Sequence, residues 1–148
     1  MSALRKRSSR TAAPRPATTR SPVRFPRPIL AAIRDDKFLY IRAGTEHRFI
    51  GIWGVVVDGR VFVRSWSLKP RSWWRTLLED PRGAVRIGER EIPIRARPAR
   101  GAALNDAVDK AYVEKFPTPG WIKYAKDLAR AKSRATTTEL LPDRGSRA

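Results

Sequence analysis

The sequence predicts an α+β protein, mainly β, built on a small antiparallel β-barrel with helices at its end. The strand patterns come in hairpins and do not alternate with helices, which argues against a doubly wound α/β fold. A short helix pattern follows the first hairpin, and a pair of helix patterns precedes the last strand. The 148 residues suffice for one domain with a substantial core. We therefore predict a barrel domain over residues 28–142.

The first half of this domain contains a helix pattern and three β-rich segments. They are a short helix at 29–37, a strand at 38–43, a long run at 48–57 and a return strand at 60–66. Asp58-Gly59 separates the last two segments and suits a two-residue hairpin turn, because the backbone of such a turn needs positive φ angles. Apolar residues on both faces of the long run predict a central strand that is covered on both sides.

The segment WSLKPRSWWRTLLEDP, residues 66–81, predicts a short helix that is rich in both tryptophan and positive charge. Trp73, Trp74, Leu77 and Leu78 have helical spacing, so part of this helix faces the core. Adjacent residues point about 100° apart on a helix, so the two tryptophans cannot be equally deep. Either one packs in the core while the other forms a pocket wall, or both are core or rim residues.

The second half predicts a hairpin, two helices and a closing strand. The hairpin spans 84–98 across Gly88-Glu89-Arg90, the helices span 103–116 and 120–132, and the strand spans 136–142. In the return strand of the hairpin, apolar residues alternate with Pro93, Arg95 and Arg97, which predicts one apolar and one basic face. Proline lacks the N–H that a ladder needs, so Pro93 predicts an edge position or a bulge.

The two ends of the chain have a different composition. Residues 1–27 contain no acid and repeat Arg, Pro, Ser and Thr, which predicts a disordered basic arm. The arm serves either to contact nucleic acid or a membrane surface or merely to solubilise the protein. We expect the barrel to fold without it, because it has no core-forming pattern. Residues 143–148 predict a frayed tail.

Composition limits the classes of function. The formal net charge of +18 favours anionic partners. There is no cysteine, and a single histidine, His47, argues against a zinc site, so we expect no metal. The sequence has neither an apolar run long enough to span a membrane nor an export signal, which makes the cytoplasm the expected location. It also lacks a nucleophile elbow, a P-loop, an HExxH motif and a GxGxxG motif.

The central sequence resembles the flavin-binding split β-barrel proteins of the pyridoxamine-phosphate-oxidase-like fold, in particular the deazaflavin-dependent nitroreductase relatives. The resemblance rests on Ser65 at a strand end, the aromatic pair Trp73-Trp74 with Leu77, Asp80-Pro81 and the closing TTTELLP. RAGTEHR and IWGVVVDGRVFVRS are most similar to an uncharacterised bacterial branch of that family. The similar region covers about residues 36–142. It implies a split barrel that binds FMN or a deazaflavin coenzyme, and a homodimer with the cofactor near the interface.

The resemblance and the chemistry together indicate a candidate cofactor site. In the relatives, the segment before the long hairpin holds the cofactor phosphate, and here that segment is 42–48. A flat anionic cofactor needs an aromatic wall and fixed cations, and the stretch around 64–74 offers both. The candidate residues are Arg42, Gly44, His47, Arg48, Arg64, Ser65, Trp66, Lys69, Trp73 and Trp74.

Two functions of different class follow. The first is a flavin- or deazaflavin-dependent reductase, in which the bound cofactor transfers the hydride. The alternative is a non-enzymatic binding module whose basic arm contacts nucleic acid or another polyanion. Charge alone supports the alternative. The barrel segment has no helix-turn-helix, zinc-finger or RNP motif, which argues against it.

Overall fold

The computed structural model describes residues 24–69 and 71–143. In this part of the chain there are five helices and seven strands. The helices are α1 (Arg27–Asp35), α2 (Trp73–Glu79), α3 (Ala102–Lys115), α4 (Pro119–Asp127) and α5 (Ala131–Arg134). The strands are β1 (Leu39–Ala43), β2 (Ile50–Ile52), β3 (Gly54–Val57), β4 (Arg60–Val63), β5 (Arg82–Ile87), β6 (Arg90–Pro98) and β7 (Thr138–Pro142). The predicted α+β class is confirmed, although the second helix of the predicted pair divides into α4 and α5.

The seven strands form one antiparallel sheet in the order β2-β1-β5-β6-β7-β4-β3. The two end strands, β2 and β3, are consecutive in the chain and are joined by Trp53 alone. The sheet therefore curls into a nearly closed barrel, as predicted. The prediction of one long central strand over 48–57 is wrong, because the run bends at Trp53 and its two halves pair with different neighbours.

Glycines on both sides of Trp53 explain the bend. A Cβ atom at Gly51 would lie 3.2 Å from the Tyr40 ring, and one at Gly54 would lie 3.0 Å from Leu39 Cδ2. At both positions the chain passes so close to β1 that a side chain would not fit without displacing its neighbours. Hydrophobicity alone predicted a straight buried strand, whereas these two close approaches set where it turns.

The hairpin of β3 and β4 has the predicted turn. Val57 pairs with Arg60, and the two residues between them have positive φ, 53° at Asp58 and 74° at Gly59. Two consecutive positive φ angles are those of a type I′ turn, whose twist matches that of the flanking strands.

Replacing Gly59 by valine is expected to destabilise the protein by about 1–2 kcal/mol, because a β-branched residue is strained at positive φ. A Cβ atom at this position would also lie only 3.0 Å from the Arg24 guanidinium. Thermal unfolding followed by circular dichroism measures the loss. Gly120→Ala is the matched control, since a Cβ atom there would have no neighbour within 4 Å. An unchanged melting temperature for Gly59→Val would contradict the turn assignment.

Two apolar clusters hold the fold together. The first fills the barrel, where α1 contributes Ile29 and Ile33 and α2 contributes Trp73 and Leu77 to the inward side chains of the strands. The second lies between the hairpin of β3 and β4 and the helices α3 and α4, around Trp53, Phe62, Val108, Tyr112 and Phe116. The hairpin is thus covered on both faces, which is why its sequence is apolar without alternation.

Phe25 belongs to the barrel core, although it lies within the predicted arm. Its side chain is 5% exposed, and Arg24 donates a hydrogen bond of 2.7 Å to the carbonyl of Asp58. The rest of the predicted arm, residues 1–23, and the residues 144–148 of the predicted tail lie outside the described residues. The domain boundaries remain predictions, and two truncations test them.

Deleting residues 1–23 is expected to leave the melting temperature unchanged, whereas deleting residues 1–27 should cost about 3–5 kcal/mol. The longer deletion removes Phe25 and the first residue of α1, and removal of a buried phenylalanine leaves a cavity in the core. Circular dichroism melts of the two truncated proteins measure the difference. Identical melting temperatures would show that Phe25 contributes nothing to the core.

Pro93 lies in a central strand, so the edge prediction is wrong. Its strand, β6, pairs with β5 on one side and β7 on the other, but pairing with β7 begins only at Ile94. The Pro93 carbonyl accepts a hydrogen bond from the Asp143 N–H at 3.0 Å, beyond the end of β7. In an antiparallel strand the N–H and C=O of a residue point to the same side. The N–H that proline lacks would therefore point beyond the last pair of β6 and β7, so its absence interrupts no strand pairing.

No helix in the described part of the chain is long and apolar enough to cross a membrane.

Candidate functional site

Helix α2 positions the two adjacent tryptophans. Ser72 caps it by accepting a hydrogen bond of 3.2 Å from the Arg75 N–H, as serine commonly does at a helix start. Trp73 is 8% exposed and packs in the barrel core, whereas Trp74 is half-buried and faces outward. The two rings therefore lie at different depths, as their helical spacing predicts.

A small cavity beside Trp73 is bordered by positive charge. It has a volume of about 190 Å³, and we call it the basic cavity. Its lining consists of Ile41, Ala43, His47, Arg48, Ile50, Arg71 and Trp73. His47, Arg48 and Arg71 are exposed, and no acid lines the cavity. In the described residues, neither guanidinium group has a hydrogen-bond or ion-pair partner.

The chain reversal after β1 brings these cations together. Gly44, with a φ of 66°, turns the chain at the end of β1, and the return to β2 pairs Ile41 with Ile50. His47 and Arg48 lie on this return, next to the segment that leads into α2. Because guanidinium groups bind phosphate through two parallel N–H donors, the basic cavity suits a phosphate group.

A larger and mostly apolar cavity lies beside Trp74, and we call it the Trp74 cavity. Its volume is about 400 Å³. Its lining consists of Trp74, Leu77, Leu78, Pro81, Arg95, Ala96, Arg97, Pro98, Thr138 and Leu141. The Arg75 guanidinium lies over the Trp74 ring, 5.4 Å from its centroid. An apolar recess with an aromatic wall and two arginines at its border suits a planar anionic molecule.

The two arginines of the Trp74 cavity differ in their freedom. Arg97 donates a hydrogen bond of 2.7 Å to Glu139, which also receives two of 3.0 Å from Arg60. Burial opposes ionisation of Glu139, but these hydrogen bonds and the charges behind them outweigh it and lower its pKa. The side chain of Arg95 makes no hydrogen bond or ion pair with the described residues and is the available cation.

Arg42 and Gly44 line a third cavity of about 440 Å³ with mixed charge. Arg42 donates to the Gly44 carbonyl at 3.1 Å and to Glu91 at 3.1 Å. Glu91, Asp80 and Arg82 also line this cavity. The acids make it a poorer anion site than the basic cavity, although Gly44 supplies the turn from which the basic cavity is built.

Arg64 is buried away from all three cavities. Its side chain donates to Thr137, to the Leu128 carbonyl, to Asp109 and to both the carbonyl and the side chain of Asn105. Every nitrogen of the guanidinium thus has a partner in α3, at the end of α4 or in the residue before β7. Arg64 fastens the helices to the barrel and has no donor available for a cofactor phosphate.

Ser65, Trp66 and Lys69 are not brought together with Trp74. Ser65 is buried and hydrogen-bonded to Thr136 and Ser67. Trp66 packs against Trp53, and Lys69 is exposed and lines none of the cavities described above. The structure therefore gathers His47, Arg48 and Trp73 at one cavity and Trp74 at another, and it leaves Arg64, Ser65, Trp66 and Lys69 outside both.

Two arginines that line the cavities were not among the candidate residues predicted from the sequence. Arg71 completes the basic cavity, and Arg95 borders the Trp74 cavity. The basic face predicted for the strand of Arg95 was the signal for its outward position. Only the packing of α2 against that part of the barrel turns the face into a cavity wall.

No curated protein matches this chain in sequence. Its structure is similar to the crystal structure of the conserved hypothetical protein Rv2991 from Mycobacterium tuberculosis, with a TM-score of 0.51 and 12% identity, over 82% of this chain and 81% of that one. At this identity the similarity concerns the fold alone.

The sequence profile of one protein family covers most of the domain. It matches residues 29–140, from α1 to β7, and the family is described as uncharacterized proteins conserved in bacteria. The protein therefore belongs to this bacterial family, DUF2255.

Proposed function

We propose that the protein binds a planar phosphorylated cofactor, FMN or a deazaflavin coenzyme, and acts as a reductase. The observation that carries this proposal is the basic cavity, where His47, Arg48 and Arg71 converge without an acid. The segment that contributes His47 and Arg48 is the one to which the resemblance assigns the phosphate. When bound, such a cofactor supplies hydride transfer, and the protein binds and orients it.

The residues present fit such a cofactor in two parts. The basic cavity, at about 190 Å³, has room for a phosphate group but not for a fused ring system. The Trp74 cavity is about twice as large and is mostly apolar, so it suits the ring. The two cavities flank α2 and border the adjacent residues Trp73 and Trp74. An aromatic wall and a separate cationic pocket are the two recognition elements that a phosphorylated flavin needs.

Replacing Arg48 by alanine is expected to weaken FMN binding by about tenfold or more and to leave riboflavin binding unchanged. A charge-assisted hydrogen bond contributes about 1.5–3 kcal/mol, and only FMN has the phosphate. Isothermal titration of both ligands measures the difference. Arg90→Ala, which removes an exposed charge at the first residue of β6, is the control. Trp74→Ala should weaken both ligands equally.

Three outcomes would contradict parts of the proposal. Equal losses for FMN and riboflavin in Arg48→Ala would remove the phosphate role of the basic cavity. An unchanged affinity of Trp74→Ala would remove the ring from the Trp74 cavity. Absence of binding of FMN, riboflavin and a deazaflavin coenzyme to the intact protein would overturn the cofactor proposal as a whole. Light scattering of the same samples tests the homodimer that the resemblance implies.

Contact with nucleic acid through residues 1–27 is the second candidate function. Eight of the 27 residues are basic and none is acidic, so they contribute +8 of the net charge of +18. Counterion release makes such binding strongly salt-dependent. Loss of oligonucleotide binding on deletion of residues 1–23, at unchanged stability, would support this function.

A further inference from the structure

Five aromatic rings form one assembly on the side of the barrel covered by α4. Trp53 is 3% exposed and stacks on Phe116 at 3.7 Å, with 8° between the ring planes. Trp66, Trp121 and Tyr124 surround it in edge-on contacts, with centroid distances of 5.4, 5.6 and 6.5 Å. We call Trp53, Trp66, Trp121 and Tyr124 the aromatic platform. A buried central ring holds the outer rings in fixed positions.

The outer rings of the platform are open to solvent. Trp66 is 39% exposed and Tyr124 is 41% exposed, and Trp121 is half-buried. Trp53 contacts each outer ring on one face or one edge. Trp53 therefore leaves at least one face of each outer ring uncovered. Exposed large aromatic rings that a rigid support holds in place are typical of binding surfaces.

Positive charge surrounds these rings. Lys37 Nζ lies 4.2 Å from the centroid of the Trp121 ring, and Lys123 Nζ lies 5.3 Å from that of Tyr124. Residues 119–134, which contain α4 and α5, have five basic side chains and one acidic side chain. Lys123, Lys126 and Lys132 are exposed and have no hydrogen-bond or ion-pair partner in the described residues.

A recess beside the platform continues this surface. It has a volume of about 510 Å³, and Trp121 and Phe116 form its aromatic wall. Lys37, Lys115 and the ion pair of Arg34 with Asp35 complete its border. The surface therefore combines ring faces, a recess and an excess of cations.

We propose that the aromatic platform binds single-stranded nucleic acid. Unpaired bases stack on the Trp66 and Tyr124 rings, and the phosphates between them lie along Lys37 and Lys123. Stacking on aromatic side chains within a cationic groove is the common mode of single-strand binding. A duplex keeps its base faces stacked inside and offers the rings nothing to contact. The platform lines neither the basic cavity nor the Trp74 cavity, so this proposal does not depend on the cofactor.

Substitutions at Tyr124 separate stacking from other kinds of contact. Tyr124 lies on the exposed side of α4, so Tyr124→Leu keeps apolar area and removes the ring, and Tyr124→Phe keeps the ring. We expect the full-length Tyr124→Leu protein to bind a short fluorescent oligo-dT about tenfold more weakly, and Tyr124→Phe to bind it like the unmodified protein. Fluorescence anisotropy measures the affinities. Tyr40→Leu removes a similarly exposed tyrosine ring, on β1 and outside the cavities described above, and is the control.

The salt dependence separates the platform from the basic arm. Charge contacts from any part of the chain weaken steeply with salt. The ratio of the oligo-dT affinities of the unmodified and Tyr124→Leu proteins should, in contrast, be the same at low and high salt. Lys123→Ala should also reduce the slope of log affinity against log salt concentration by about one. Circular dichroism melts that match the unmodified protein show that each variant is folded. Quenching of tryptophan fluorescence by the oligonucleotide should be smaller in Trp66→Phe.

Competing ligands give results that overturn the proposal. If a duplex of the same length binds as tightly as oligo-dT, and Tyr124→Leu binds both unchanged, charge alone accounts for binding. If Tyr124→Leu loses affinity for phosphatidylglycerol vesicles but not for oligo-dT, the platform contacts a membrane surface instead. Failure of the intact protein to bind oligo-dT at low salt also overturns the proposal for the aromatic platform. The cofactor proposal is tested separately, by titration with FMN.

Discussion

Replacing Arg64 by leucine is expected to lower the free energy of unfolding by about 3–5 kcal/mol. The side chain is 1% exposed, and its guanidinium binds Asp109, Asn105, Thr137 and the Leu128 carbonyl. Removing the guanidinium takes one hydrogen-bond partner from each of these groups, although Arg134 still binds Asp109, and costs in this range are typical for a disrupted buried network. The loss is a large fraction of the roughly 5–15 kcal/mol that stabilises a typical domain.

Urea denaturation followed by circular dichroism measures this effect. Arg64→Lys keeps the charge but lacks the planar fork of donors, so it should retain only a minor part of the stability. Arg90→Leu is the control for charge removal, because Arg90 is exposed. If Arg64→Leu and Arg90→Leu unfold at the same urea concentration, the network does not hold the helices to the barrel.

Alanine at Trp73 is expected to cost about 3–5 kcal/mol, and alanine at its neighbour Trp74 much less. Trp73 packs with Leu77 in the barrel core, so its removal leaves a large cavity. Trp74 is half-buried at the edge of an existing cavity, and its loss deepens that cavity without emptying the core. The two substitutions remove the same side chain from adjacent positions and are therefore controls for each other.

The pair of variants also separates stability from binding. Urea midpoints from circular dichroism give the stabilities, since each variant removes one tryptophan fluorophore. Trp73→Ala should lose stability chiefly, whereas Trp74→Ala should remain close to the unmodified protein and lose ligand affinity. Equal midpoints would show that the two rings are equally buried in solution.

Local patterns in the sequence predicted the elements whose conformation is decided locally. Asp58-Gly59 identified the hairpin, and alternation identified the outward arginines of β6, because turn geometry and strand pleat depend on a few neighbouring residues. The bend at Trp53 was not predictable in this way. It depends on how closely Gly51 and Gly54 approach β1, which is a tertiary contact.

The candidate site was predictable only in part, for the same reason. Proximity in the chain placed Arg64 with Trp74, but α3, the end of α4 and the residue before β7 enclose Arg64 and use its donors. His47 and Arg48 do line one cavity with Trp73, because the chain reversal after β1 brings together residues that are 25 and 26 positions apart in the sequence. Which cations remain available is decided by the acids that fold next to them, and that information is distributed over the whole chain.

The junction at Trp53 couples the registers of the two end strands of the barrel. Because β2 and β3 are joined by one residue, a slip of β2 along β1 by one position requires a matching slip of β3 along β4. Such a shift would turn Ile52 and Val55, both buried, toward the opposite faces of the sheet at once. An open sheet of the same strands could slip at either end independently. The covalent junction therefore excludes, by connectivity, the misregistered pairings to which short end strands are otherwise prone.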